Sequence, residues 1–339
     1  MKILLITPNF FDYPKVICDE IRRMGHEVDW FDDRPSSNSI IKAIIRVKKN
    51  VINKLITRYF ECIMQIVRKK VYDKVLIISG QSLSFTEKML LELKEVQPQA
   101  EFILYQWDSI QNFSYIEMLQ KHFDRCYSFD KYDVIKNDNL KFLPLFYSRR
   151  YEEIGKKPAY NYKYDIIFVG TAHPKKYKYI NEMIKKLKSI YKKQFIYFFF
   201  PSRMVYFYRK IKNPELKRAK YSEFHYAPIK SAELDYLLWQ SKCVLDSAQD
   251  GQSGLTIRIF ETLGAKRKII TTNHDIVNYD FYREENIYVY NGNFDFNSKF
   301  FTKPFVELPN DIYIKYSLRS WLEEIIYEKG ASPKDFMVC

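Results

Sequence analysis

The chain has 339 residues, five cysteines and a formal net charge of +14. At 47% hydrophobic residues it is no disordered tail, and its length suits two domains of roughly 150 residues better than one core. The positive balance asks for an anionic partner, and a nucleotide-sugar, an anionic membrane surface and nucleic acid all remain open at this level.

Cys18, Cys62, Cys126, Cys243 and Cys339 are scattered and never form a C-x-x-C pair. Neither a disulfide framework nor a zinc site follows, and a reducing cytoplasm is the expected compartment. The opening MKILLITPNF reads as a first strand rather than a signal peptide, and no apolar run approaches the roughly 18 residues of a membrane span.

In chain order, Lys2 to Thr7 is a buried strand followed by the loop PNFFDYP. A helix from about Lys15 to Met24, closed by Gly25, leads to strand Glu27–Phe31. That is a Rossmann-like opening without the G-x-G-x-x-G fingerprint, so a dinucleotide is not expected on this loop. Residues 40–70 alternate apolar positions with lysines and arginines against a single acid, Glu61. This pattern predicts a basic amphipathic helix or helix pair lying on an anionic membrane, with a solvated basic face or a nucleic-acid patch as alternatives.

A strand at 74–79, a helix at 86–95 and a strand at 101–107 follow, the last running into Asp108. A carboxylate there is placed either to act as a general base or to cap the next helix. Strand 126–129 and FLPLFY (142–147) complete about six βα repeats, and the polar, charged segment 149–163 reads as an interdomain linker.

The period then restarts with YDIIFVG (164–170), the loop TAHPKK holding His173, a basic helix over 177–191 and strand 195–200. Arg203, Arg209 and Lys210 come next, then a helix for which Ser231 is the expected N-cap. From Cys243 to Asn273 the chain reads strand, glycine-containing loop, amphipathic helix, strand. In that helix Arg258 and Glu261 share a face, suited either to a phosphate and sugar hydroxyls or to a plain i,i+3 ion pair. Strand 286–291, a helix at 314–329 and a frayed tail at 330–339 close the chain.

The run Gln252, Gly254, Leu255, Thr256, Arg258 and Glu261, with LGAK and ITTN after it, resembles the C-terminal domain of GT-B glycosyltransferases of the CgeB-like and lipopolysaccharide/capsule-biosynthesis type. YQWDS (105–109), FLPLFY, YDIIFVGTAH (164–173) and YDFY (279–282) also look like that group. The resemblance implies an α/β fold of two Rossmann-like domains facing a central cleft. The acceptor-side domain would span 1–148 and the nucleotide-sugar domain 164–313, with the 314–329 helix crossing back to the first.

It further implies transfer of a sugar from a nucleotide-sugar to a growing lipopolysaccharide, capsule or exopolysaccharide at the cytoplasmic membrane face. Expected partners are a nucleotide-diphosphate sugar, a lipid-linked or oligosaccharide acceptor and the anionic membrane, without nucleic acid. No cofactor or metal is expected, protein cations taking the leaving charge. Gly170, Thr171, Arg203, Lys210, Gln252, Ser253, Gly254, Leu255, Thr256, Arg258 and Glu261 are the implied nucleotide-sugar residues. Asp108, then Asp12, are the implied bases, and His173 would meet the leaving phosphate or the sugar.

Many retaining relatives carry a first glutamate where this chain has Ser253, which favours inversion. A retaining enzyme, a sugar-nucleotide epimerase or hydrolase, and a non-catalytic membrane-surface or nucleic-acid binding protein stay open. On this reading Glu261→Ala should remove nucleotide binding and leave the fold intact.

Overall fold

The computed structural model describes residues 1–36, 53–79, 83–112, 115–158, 161–248, 253–330 and 335–337. Residues 40–52 of the basic stretch and Gln252 lie outside them. The chain divides into two compact units, 1–144 with 321–335, and 145–320 with 336–339.

In the first unit the described elements run β1 (Lys2–Ile6), α1 (Tyr13–Arg23), β2 (Glu27–Phe31), α2 (Asn53–Val67), β3 (Lys74–Ser79) and α3 (Glu87–Val96). They continue with β4 (Glu101–Gln106), α4 (Tyr115–Gln120), β5 (Arg125–Ser128), α5 (Lys131–Lys136) and β6 (Leu140–Phe142). The sheet is parallel in the order β2-β1-β3-β4-β5-β6. Its central strands β1, β3 and β4 are largely apolar because helices cover both faces.

Helix α2 corrects the membrane reading for its part of the basic stretch. Its stripe of Ile56, Phe60, Ile63, Met64 and Val67 is buried in the core of this unit, so that face is not available to a bilayer. The cations stay outside, where Arg68 pairs with Glu92 at 2.7 Å and Lys70 with Asp29 at 2.7 Å.

The second unit holds α6 (Arg149–Lys156), β7 (Tyr164–Thr171), α7 (Pro174–Leu187), β8 (Gln194–Phe199), α8 (Arg203–Lys212), β9 (Phe224–His225) and α9 (Ser231–Trp239). After these come β10 (Ser241–Leu245), α10 (Ile257–Gly264), β11 (Lys268–Thr271), β12 (Ile287–Val289), α11 (Lys299–Thr302) and α12 (Asn310–Lys315). Its parallel sheet is ordered β12-β11-β10-β7-β8-β9. Helix α13 (Leu318–Tyr327) ends the series, and from Trp321 onward it belongs to the first unit. There Trp321 packs edge-on against Tyr105 at 4.7 Å and the Ile325 carbonyl accepts from Arg125 at 2.8 Å.

Four local expectations change. Residues 149–156 are not linker but helix α6, because Tyr151 and Ile154 are buried against α9 and α10. Ser231 is the first residue of α9, with Lys230 at the cap position. The last helix is broken at Tyr316–Ser317, where the Tyr147 backbone takes the bonds, Tyr147 N to Tyr316 O at 2.9 Å and Leu318 N to Tyr147 O at 2.8 Å. The end of the chain is not wholly frayed: Phe336 is buried, its carbonyl accepting from Asp280 N at 2.9 Å.

Helices α6 and α10 cross through two glycines. A Cβ on Gly155 would lie 2.5 Å from the Gly264 carbonyl oxygen, and one on Gly264 would lie 2.6 Å from Tyr147 Cγ. The Tyr147 ring cannot retreat freely, since its hydroxyl donates to the Tyr313 carbonyl at 2.8 Å. Gly264→Ala is therefore expected to destabilise the protein by about 2 kcal/mol, read as a lower urea midpoint. An unchanged midpoint would show that the crossing has room for a methyl group.

Candidate functional site

In the second sheet the winding direction reverses between β7, which leads on to β8, and β10, which leads to β11. Open parallel sheets bind ligands in the crevice at such a reversal, outside the carboxyl ends of the strands. The loops that meet there are Ala172–His173 after β7 and the segment after β10.

Asp246, one residue past β10 and buried, ties the second loop together. Its carboxylate accepts from Thr256 Oγ1 and Thr271 Oγ1, each at 2.9 Å. Asn273 holds the same loop from β11, its Nδ2 donating to the Ser253 carbonyl at 3.2 Å and the Gly254 carbonyl at 3.5 Å. Both ends of the loop are thereby fixed in front of α10. Thr256 is the N-cap residue of α10, but its hydroxyl goes to Asp246 and makes no cap bond. The positive end of α10 consequently faces the crevice without a side-chain cap.

From the other side of the reversal comes Lys176, the third residue of α7. The residue is half-buried. Among the described residues no hydrogen bond or ion pair reaches it. Desolvation pushes its pKa down, Asp246 pulls against that, and Arg258 lowers it further. A desolvated cation with a second cation nearby is a site that an anion completes.

Arg258 and Glu261 do form the i,i+3 pair, at 2.6 Å, but Glu261 is only 4% exposed. Its other oxygen accepts from Tyr151 Oη at 2.7 Å, and that hydroxyl accepts from Arg150 Nη2 at 2.7 Å. Arg150 Nε lies 3.0 Å from Asp235 Oδ1, so the chain of contacts runs Asp235–Arg150–Tyr151–Glu261–Arg258 across α9, α6 and α10. Burial, then the Glu261 carboxylate, raises the Tyr151 pKa, which keeps the phenol a donor to Glu261. The carboxylate holds the buried Tyr151 hydroxyl and the partly exposed Arg258 guanidinium, so Glu261→Ala is expected to destabilise the fold as well as to affect nucleotide binding.

The other expected residues divide. Gly170 and Thr171 end β7, and His173 precedes α7 as its N-cap residue without a side-chain cap bond. Leu255 is 1% exposed and belongs to the core, not to a ligand surface. Lys210 is spent on structure, donating to the Ala219 carbonyl at 2.8 Å and Tyr206 Oη at 3.2 Å. Arg203 is exposed, its guanidinium over the Tyr221 ring at 5.9 Å.

In the first unit Asp12 and Asp108 follow β1 and β4 at the carboxyl edge. Tyr13 and Trp107, their chain neighbours, meet edge-on at 6.5 Å, which brings the two loops together. In the turn that follows Asp108, Ser109 Oγ accepts from Gln111 N at 3.3 Å.

Lys176, Asp246 and Tyr151 were missed by sequence reasoning. Lys176 had a signal, a lysine in the first turn of the helix after a β-strand at a candidate phosphate edge; Tyr151 had none.

The two six-stranded parallel α/β units have the GT-B architecture. No protein-family model and no curated protein matches the chain. Among solved structures it is similar to Alr3699/HepE of Anabaena in complex with UDP and glucose, at 9% identity and a TM-score of 0.58, covering 97% of this chain and 99% of that one. It is also similar to an alpha-glucosyltransferase in complex with UDP and a mismatched 13-mer DNA, at 13% identity and 0.55, covering 97% and 90%. A third is the apo form of the lipopolysaccharide outer core galactosyltransferase WaaB, at 12% and 0.51, covering 97% and 100%.

Proposed function

We propose that this protein transfers a sugar from a nucleotide-diphosphate sugar to a glycan acceptor. The observation that carries the reading is Lys176, a desolvated ammonium facing Arg258 and the uncapped end of α10 at the sheet reversal. A diphosphate satisfies all three at once, and it is the group on which negative charge grows as the glycosidic carbon–oxygen bond breaks. These protein charges carry the leaving-group role that a metal would otherwise fill, so transfer is read as metal-independent. Glu261, buried and bonded to Tyr151 and Arg258, is assigned to the nucleoside end, one turn along α10 from Arg258, where a carboxylate suits the ribose hydroxyls.

For the acceptor, Asp108 removes the hydroxyl proton as oxygen attacks the anomeric carbon from the face opposite the diphosphate, inverting it; Asp12 is the second choice of base. The acceptor class is a bacterial cell-surface glycan, lipid-linked or oligosaccharide, at the cytoplasmic membrane face. The similarity to WaaB, a lipopolysaccharide outer core galactosyltransferase, supports that class, and two of the similar structures hold UDP, which makes UDP the first nucleotide to test.

The test is a thermal-shift screen of UDP-, GDP-, dTDP- and CMP-linked sugars, since a true donor in excess raises the melting point by mass action. One nucleotide class should stand out. Asp108→Asn should keep that shift and lower transfer by about a hundredfold or more. A screen with no shift from any nucleotide would remove the proposal.

A further inference from the structure

Helix α8 has its apolar stripe on the wrong side for a core helix. Tyr206 is buried and Val205 packs beside it against the core. Met204, Phe207, Tyr208 and Ile211, spaced i, i+3, i+4 and i+7, are 82, 55, 58 and 81% exposed. That spacing puts them on one face. Exposing four large apolar side chains in one row, rather than singly, is what a surface does when it meets a partner.

The rim is cationic. Residues 201–222 contain Arg203, Arg209, Lys210, Lys212, Lys217, Arg218 and Lys220 against Glu215, seven basic to one acidic. Arg209 and Lys210 turn inward onto the Ala172 and Ala219 carbonyls, while Arg203, Lys212, Lys217, Arg218 and Lys220 are exposed. Two of these lie over exposed rings, Lys212 Nζ at 4.7 Å from the Tyr208 centroid and Arg203 over Tyr221. Phe207 stacks near Tyr221 at 6.3 Å, extending the aromatic surface beyond the helix.

We infer that α8 docks the protein on an anionic lipid surface, its Met204–Phe207–Tyr208–Ile211 row entering the headgroup boundary while the surrounding lysines and arginines meet lipid phosphates. Charge decides among occupants. A second copy would bring two positive rims together, and nucleic acid would meet the cations but leave Met204 and Ile211 in water. A bilayer interface takes both halves of the patch. Arg209 Nη1 donates to the Ala172 carbonyl at 3.3 Å, which ties the helix to the loop leading into Lys176. Docking therefore presents the proposed donor site at the membrane, where a lipid-linked acceptor would be found; this last consequence alone rests on the transfer reading.

The test is flotation of the full chain with phosphatidylcholine vesicles, with and without phosphatidylglycerol, across a salt series and without nucleotide. The wild type should float with anionic vesicles and lose them as salt rises. Met204→Ser with Ile211→Ser should lower the partition about tenfold. Lys212→Glu with Lys220→Glu should lower it by about fivefold or more per site. Unchanged melting points would show that all variants fold.

Equal flotation of the wild type and both variants would overturn the inference, as would no flotation at all. So would a serine variant that turns a dimer into a monomer, or binding to DNA that survives the serine changes. None of these readouts needs a donor, so failure of the transfer reading would show separately in the nucleotide screen.

Discussion

On the transfer reading, Lys176→Met is expected to weaken binding of the donor nucleotide about a hundredfold while making the unliganded protein more heat-stable. The two effects share a cause. The ammonium is held out of water with no acid in contact among the described residues, and with Arg258 adding to the repulsion. Removing a buried charge that no acid contacts among the described residues relieves the folded state, and methionine keeps the stem's volume.

In a unit of this size each kcal/mol gained moves the melting point by about 2–4 °C. The pH sign follows as well. The folded pKa lies below the ordinary 10.5, so between the two values the unfolded chain binds more protons and stability rises with pH. Lys176→Met should flatten that slope, and in the wild type UDP affinity should fall as pH passes the lowered value. Calorimetric titration with UDP and melting scans at several pH values read all of this. An unchanged dissociation constant in the variant would remove Lys176 from the site.

Glu261→Ala should be destabilising by about 3 kcal/mol and should also abolish the nucleotide shift. The carboxylate is the acceptor for Tyr151 and the partner of Arg258, and both are left facing a cavity when it goes. Arg258 is partly exposed, which places the loss at the low end for a broken buried pair. Tyr151→Phe removes two hydrogen bonds, the one given to Glu261 and the one taken from Arg150, and should cost about 2 kcal/mol, with donor binding largely kept.

The pair gives the decisive comparison. Because Tyr151 and Glu261 share one bond, the double variant should lose less than the sum of the singles by about 1 kcal/mol. A Glu261→Ala protein with an unchanged urea midpoint would mean that the network is not formed in solution. A nucleotide shift surviving in a variant shown to be folded would end the role of Glu261 at the nucleoside.

Most strands were legible because parallel sheets need nearly continuous apolar runs, and KVLIIS, EFILYQ and YDIIFVG have no other reading. The loop before α10 was legible too, since strand, polar loop and amphipathic helix form a local pattern. Helix α2 misled for the opposite reason. Its stripe is compatible with either a bilayer or a core, and only the sheet beneath it decided. The genuinely exposed stripe, on α8, reads in sequence like any basic helix. Tyr206 looks no different from Phe207 until one is seen inside and the other outside.

The sequence by itself determined two parallel α/β units and the face on which Arg258 and Glu261 sit, because periodicity and helical spacing are properties of neighbours along the chain. Tertiary structure alone decided that Lys176 comes to Asp246 and Arg258 across the sheet reversal. It likewise decided that Tyr151 and Arg150, in a segment that reads as a linker, complete the contacts of Glu261. Those partners lie up to 110 residues apart, and desolvation has no signature in a string of residue types.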